Sequence, residues 1–316
     1  MTHYNIFLCG KIINKIILIE MRKFFLRIVG RLYFLFPERL YLIIRYYLEM
    51  GKPLHLDNPK TMNEKLQWLK LYNRKPEYTQ MVDKVLAKDY VTNLIGEKYI
   101  VPTLGVWNHF DEIDFDQLPN QFVLKTNHSG GNTGVVICKD KTTFNKVSAK
   151  KKLEKSLKQD ISRSLVEWPY RNIERKILAE VYLGEELTDY KFYCFNGEAD
   201  VVLNCIERQT GHPKFYFFDK EWNLRRLNKR GKEAPEGFTL PKPEGMDEMF
   251  EIAAKLSEGL PYARVDLYNV EGKIYFGEIT LFPASGFDYN RLPEADLYFG
   301  KKIKLPAITR KSHLSQ

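Results

Sequence analysis

Two carboxylates, Asp266 and Glu278, stand twelve residues apart in 263-ARVDLYNVEGKIYFGEITLFPASG-286, on strand-like runs joined by the turn 269-NVEG-272. Strand alternation puts Arg264, Asp266 and Tyr268 on one face of the first run, and Phe276, Glu278 and Thr280 on one face of the second. Acids on neighbouring strands repel unless a cation lies between them. Mg²⁺ held by one or two carboxylates plus substrate phosphates is a usual solution, and Arg264 adds a donor fork suited to phosphate. A solvated polar face balanced by local lysines is the alternative.

A second segment points to the same chemistry. In 122-FVLKTNHSGGNTGVV-136 a strand ends in Lys125 and enters a loop holding His128, Ser129, Gly130, Gly131 and Gly134. Such a loop exposes backbone N–H groups and Lys125 supplies a point charge, which together make a phosphate cradle. It has neither the Walker A pattern nor GxGxxG spacing, and a plain hairpin with a flexible tip is the alternative. A third segment, 177-ILAEVYLGEELTDYKFYCF-195, carries Glu180, Tyr182 and Leu183, then Glu186 just past Gly184. An apolar wall with free backbone groups can hold adenine, and a carboxylate can take ribose hydroxyls. Asp189 and Lys191 follow with the parity of one strand face.

These residues need elements to position them. Residues 24–50 read as helix broken at Pro37, followed by the polar connector 51-GKPLHLDNPKT-61. Asn63 is placed to cap a helix over 64-EKLQWLKLYNR-74, whose Leu66, Trp68, Leu69, Leu71 and Tyr72 form a wide apolar stripe. One helix is expected over 81–96, ending at Gly96, and a strand over 99–107. Strand, glycine loop and strand over 121–140 then lead to a Lys-rich helix at 147–159. Strands over 177–186, 190–207 and 214–227 and a helix near 246–258 precede the opening hairpin. Strands and helices do not alternate strictly, so the expected class is α+β and not a doubly wound parallel sheet.

With 316 residues, 44% hydrophobic, the chain can bury one large core or two to three packed lobes. Its net charge of +9 is uneven: residues 1–50 hold eight Lys/Arg against three Glu among many Ile, Leu, Phe and Tyr. Residues 11–50 therefore suit peripheral contact with anionic lipid or an acidic partner, or else form a helical cap packed on the next lobe. Lys11, Lys15, Glu20, Arg22, Lys23, Arg27 and Arg31 interrupt every candidate membrane span. Lys15 and Glu20 also break any signal-peptide run, and Met21 is an alternative start. Cys9, Cys138, Cys194 and Cys205 are scattered, as expected for reduced thiols in the cytoplasm, and offer no zinc motif.

Taken in this order, the three segments resemble the ATP-grasp superfamily of carboxylate–amine ligases. Within it, 61-TMNEKLQWLKLY-72, 122-FVLKTNHSGG-131, 189-DYKFYCFNGE-198 and 276-FGEITLFPASGF-287 resemble the TupA-like, teichuronopeptide-biosynthesis branch. The resemblance implies an ATP-grasp fold, two α+β lobes clasping ATP. A basic aromatic helical segment (1–55) and a helical region (56–120) would come first. A small lobe with the glycine loop (121–178), a C-terminal lobe with the metal site (179–306) and a tail (307–316) would follow. It further implies Lys84 and Lys125 on the ATP phosphates, with His128, Ser129, Gly130 and Gly131 around them. Glu180, Tyr182 and Leu183 would hold adenine, Glu186 the ribose, and Lys191 would also meet the nucleotide. Arg264 would contact phosphate, and Asp266, Glu278 and Thr280 would hold two magnesium ions. Thr280 stands where the R-x-D…E-x-N signature has asparagine. The implied reaction joins an amine or amino acid to a carboxylate-bearing saccharide, or an amino acid to an amino sugar, in surface polysaccharide biosynthesis.

A nucleotide-sugar glycosyltransferase would need a DxD metal motif, and 114-DFD-116 is the one Asp-x-Asp, in a polar run. A non-catalytic ATP-binding scaffold of a polysaccharide-assembly complex is the other alternative. Nucleic-acid binding has only net charge in its favour and no recognisable module.

Overall fold

The computed structural model describes residues 2–131, 133–185, 187–207 and 210–307, with side chains from Ile17 onward. Helix α1 (Thr2–Arg31) ends before Pro37, where α2 (Glu38–Met50) begins, so the break expected at that proline is present. Gly51 closes α2 in the left-handed region at φ 70°.

Helix α3 (Met62–Tyr72) is capped by Thr61, not Asn63: the Thr61 hydroxyl accepts from the Glu64 N–H and the Glu64 carboxylate accepts from the Thr61 N–H. Asn63 lies inside the helix and bonds the chain near 288–296, donating from Nδ2 to the Asp288 carbonyl at 3.1 Å. The single helix expected over 81–96 is two, α4 (Glu77–Val82) and α5 (Leu86–Ile95). Asp83 breaks it, taking an extended conformation (ψ 116°) while its Oδ1 accepts from the Val85 N–H at 2.8 Å.

Strands β1 (Thr103–Trp107), β2 (Phe122–Thr126), β3 (Val135–Cys138) and β4 (Ile177–Val181) form a four-stranded sheet in the order β1-β4-β2-β3. Helix α6 (Lys146–Leu157) covers it, and Phe115, Phe122, Leu124, Leu153 and Ile177 fill the core between them. The second sheet has six strands. Its members are β5 (Thr188–Phe195), β6 (Glu198–Ile206), β7 (Lys214–Phe218), β8 (Leu224–Arg225), β9 (Tyr262–Val270) and β10 (Lys273–Thr280), in the order β10-β9-β5-β6-β7-β8. Every ladder in both sheets is antiparallel, so the mixed α+β class expected from the order of elements is the class observed. Helix α7 (Met246–Leu256) packs its apolar face on the back of the larger sheet, where Phe192 and Phe250 meet edge to face at 4.9 Å.

The β9–β10 hairpin turns tightly on Glu271 and Gly272, both at positive φ (52° and 81°), which matches the right-handed twist of the flanking strands. A bulge at Gly277 then shifts the register, so that Phe276 faces Leu267 while Glu278 faces Asp266. This corrects the expectation that Phe276 and Glu278 share a face. Phe276 points into the core and Glu278 into the cleft, because the extra residue inverts the parity between them.

Candidate active site

A cleft of about 1900 Å³ lies between the two sheets, lined by Lys84, Lys125, Glu180, Lys191, Asp266 and Glu278 among others. Its floor is three adjacent strands in register: Lys191 on β5 stands opposite Asp266 on β9, which stands opposite Glu278 on β10. One step along, Arg264 stands opposite Thr280. The Arg264 fork donates to both Asp266 oxygens at 2.6 and 2.7 Å and, through Nη2, to Glu278 Oε1 at 3.2 Å and Thr280 Oγ1 at 3.1 Å. Lys191 Nζ bridges Asp266 and Asp189, the latter at 2.6 Å, as their shared parity predicted.

The opposite wall comes from the smaller sheet and from the break between α4 and α5. Extending at Asp83 lets the Lys84 N–H donate to the Asn127 carbonyl (3.0 Å) and its side chain cross the cleft. There Nζ donates to the Ser129 carbonyl at 2.6 Å and lies 3.3 Å from Glu278 Oε2. On β2, Lys125 reaches Glu180 on β4 at 2.6 Å, and Lys88 holds the other oxygen of the same carboxylate at 2.6 Å. Periodicity did not single out Lys88; the signal was a lysine one residue from Ala87 and three from Val91 on the buried side of α5.

The charges balance through burial and contact. Burial by itself would raise the Glu278 carboxyl, but Lys84, Arg264 and Lys191 outweigh it and hold it down at about 2. Glu180 is likewise pushed up by burial and pulled below its usual range by Lys125 and Lys88. Burial dominates at Asp266 and raises it in spite of Arg264 and Lys191.

The glycine loop is built on three buried hydroxyls, with Thr126 Oγ1 donating to Ser129 Oγ at 2.6 Å and lying 2.8 Å from Ser156 Oγ. Gly134 closes it, its carbonyl accepting from the Thr126 N–H at 2.9 Å, and a Cβ there would fall 2.0 Å from Thr126 Oγ1. Gly131 needs its freedom for φ 58°, and Gly130 has open space around it. His128 and Ser129 are buried behind the loop, and neither side chain lines the cleft. The physical reason is the α6 C-terminus: His128 Nε2 packs 3.2 Å from the Ser156 carbonyl, and burial followed by the charge of Arg175 lowers the ring to about 4, so it is neutral near pH 7.

Tyr182 and Leu183 line the cleft where the chain passes from the smaller sheet to the larger, turning at Gly184 with φ 115°. Glu186, expected at the ribose, lies outside the described residues. The acids of 114-DFD-116 are exposed in a turn and do not line the cleft.

The donor set fits a hard cation. Asp266 and Glu278 offer carboxylate oxygens from opposed positions and Thr280 a hydroxyl oxygen, the ligand type Mg²⁺ prefers. Among the described residues no three His, Cys, Asp or Glu side chains form a metal cluster. The remaining ligands would therefore come from substrate phosphate and water.

A family model described as TupA-like ATP-grasp matches residues 64–304. The chain belongs to that family. TupA-like membership agrees with the motifs read in the sequence and covers both sheets and the cleft between them. Solved structures with similar folds include D-alanine–D-alanine ligase from Helicobacter pylori, at 15% identity and TM-score 0.44, covering 79% of this chain and 68% of that one. L-amino acid ligase from Bacillus licheniformis is similar at 13% identity and TM-score 0.42, covering 74% and 51%. N5-carboxyaminoimidazole synthetase from Staphylococcus aureus, complexed with ADP, is similar at 14% identity and TM-score 0.41, covering 79% and 61%. The chain thus spans about half the length of the L-amino acid ligase. No curated protein matches the sequence.

Proposed function

We propose that this TupA-like protein is an ATP-dependent carboxylate–amine ligase that forms an amide through an acyl phosphate. It would join an amino acid to a sugar acid or amino sugar in surface polysaccharide biosynthesis. One observation carries the proposal: the Lys191–Asp266–Glu278 row on one sheet faces Lys84 and Lys125 presented from the other side of the same cleft. Cations from two walls converge on paired acids, an arrangement suited to a polyphosphate with a metal ion.

In the proposed reaction a substrate carboxylate oxygen attacks the γ-phosphorus and the bond to ADP breaks. An amine then attacks the acyl carbon, phosphate leaves with the C–O electrons, and the amine loses a proton. Mg²⁺, expected as two ions, supplies charge neutralisation on the phosphates when bound to Asp266, Glu278 and Thr280. Lys84, Lys125 and Arg264 hold and align the phosphates, so rate enhancement comes from positioning and fixed charge and not from a protein nucleophile. Lys191 keeps Asp189 and Asp266 together on the floor, while Tyr182, Leu183 and Gly131, which line the cleft, would enclose the nucleotide. His128 and Ser129 shape the loop from behind.

We place the enzyme in the cytoplasm, at the inner face of the membrane. Cys138 and Cys194 are buried free thiols, in keeping with a reducing compartment. The test is incubation with Mg-ATP and a panel of amino acids with sugar acids and amino sugars, measuring ADP and new amide by mass spectrometry. The reading would be falsified if ATP bound, no pair gave ADP or amide, and Glu278→Gln behaved as wild type; a non-catalytic scaffold would then be favoured.

A further inference from the structure

The N-terminal helix carries a face that the fold leaves uncovered. On α1, Ile17, Met21, Phe24 and Ile28 follow one another at helical spacing and are exposed, with Phe25 and Leu32 beside them. Phe24 is 59% and Phe25 47% accessible, values far from those of a packed aromatic. The helix cannot roll this stripe inward, because Val29 on its other side, and Tyr33 just beyond its end, already pack on the core beside α2. The band continues past the helix end through Phe34 and Leu35, 66% and 63% accessible.

Along one edge of the stripe Lys23, Arg27 and Arg31 recur every four residues, all exposed. Glu20 is the one acid described on this edge, and it is already paired with Lys23 at 2.7 Å. An apolar face rich in phenylalanine with a cationic border matches the boundary between acyl chains and anionic headgroups. Among the described residues no helix is long and apolar enough to cross a membrane, so the contact is in the plane of the surface.

We propose that α1 docks lengthwise on an anionic lipid bilayer, burying the Ile17–Leu32 stripe among the acyl chains with Lys23, Arg27 and Arg31 at the headgroups. The contact rests on the proposed location at the membrane face, and the ligase chemistry stands or falls separately by its ADP assay. On this proposal one side of α1 packs on the core through Val29 and the opposite stripe meets lipid.

The experiment is flotation of the full chain with vesicles of phosphatidylserine and phosphatidylcholine, and with phosphatidylcholine alone. The expected result is binding to the anionic vesicles, weakened about tenfold or more by Lys23→Glu/Arg27→Glu/Arg31→Glu and by Phe24→Glu/Phe25→Glu. Thermal melts of both variants should match wild type, since these side chains are exposed. Flotation on anionic vesicles that both variants retain would keep the membrane location and overturn the stripe. No flotation at all would overturn both. So would light scattering that shows a dimer abolished by Phe24→Glu/Phe25→Glu, since a second copy would then cover the face.

Discussion

Lys84 spans the cleft, its ammonium 3.3 Å from Glu278 Oε2 and donating to the Ser129 carbonyl under the glycine loop. One lysine thereby ties the β10 acid Glu278 to the glycine loop of the other sheet. Lys84→Met should leave the fold intact and lower ADP formation about a hundredfold, the scale for loss of one fixed charge-stabilising donor. A steady-state assay over ATP concentration checks it, and a change below threefold would remove Lys84 from the site.

Thr280 accepts from Arg264 Nη2 at 3.1 Å and donates to Glu278 Oε1 at 3.3 Å, so its hydroxyl orients both side chains on the cleft floor. Thr280→Val should raise the Mg²⁺ concentration for half-maximal activity about tenfold. Thr280→Asn, which restores the residue of the family signature, should not raise it. Magnesium titrations of ADP formation separate the two outcomes.

His128 makes stability depend on pH. Its folded pKa of about 4 lies below the ordinary 6.5, so between these values the unfolded chain binds the extra proton. Stability therefore falls as pH drops from 6.5 towards 4, by about 2 kcal/mol at pH 5 relative to pH 7. His128→Gln should flatten that part of the profile in urea melts at pH 5 and 7, whereas an unchanged slope would mean that His128 is not the titrating group.

Lys70 is fully buried, donating to the Leu165 carbonyl at 2.8 Å and to the Ser285 carbonyl and hydroxyl at 2.9 and 2.8 Å. Burial, partly offset by Glu167, brings it down to about 7. Lys70→Met should cost about 1–3 kcal/mol, because it removes the donor to the buried Leu165 and Ser285 carbonyls and the charge that lowers the buried Glu167 carboxyl. Lys70→Met with Glu167→Gln should recover at least half of that loss in the same melts.

The chemistry was legible where it followed a simple period or a glycine pattern. Lys191 and Asp266 sit on strands whose apolar alternation is plain, and both cleft walls carry their motifs in contiguous segments. Three features escaped because they depend on contacts distant in sequence. The break at Asp83 is held by Asn127, whose Nδ2 donates to Asp83 Oδ2 at 3.0 Å, and an uninterrupted helical pattern hides it. The Gly277 bulge inverts parity within β10, which a period-two count cannot register. On α3 the polar residues Asn63, Gln67 and Lys70, spaced four and three apart, are buried against the 285–296 segment, where hydrophobic periodicity has nothing to say.

The central claim, that one cleft holds Mg-ATP between the Lys84/Lys125 wall and the Asp266/Glu278 floor, is tested most directly by calorimetric titration with a non-hydrolysable ATP analogue. Wild type should bind one equivalent with Mg²⁺-dependent affinity. Lys125→Met should weaken binding about tenfold or more, and Glu278→Gln should abolish the Mg²⁺ dependence. Saturable binding that neither variant changes, or no binding at all in the presence of Mg²⁺, would contradict the account.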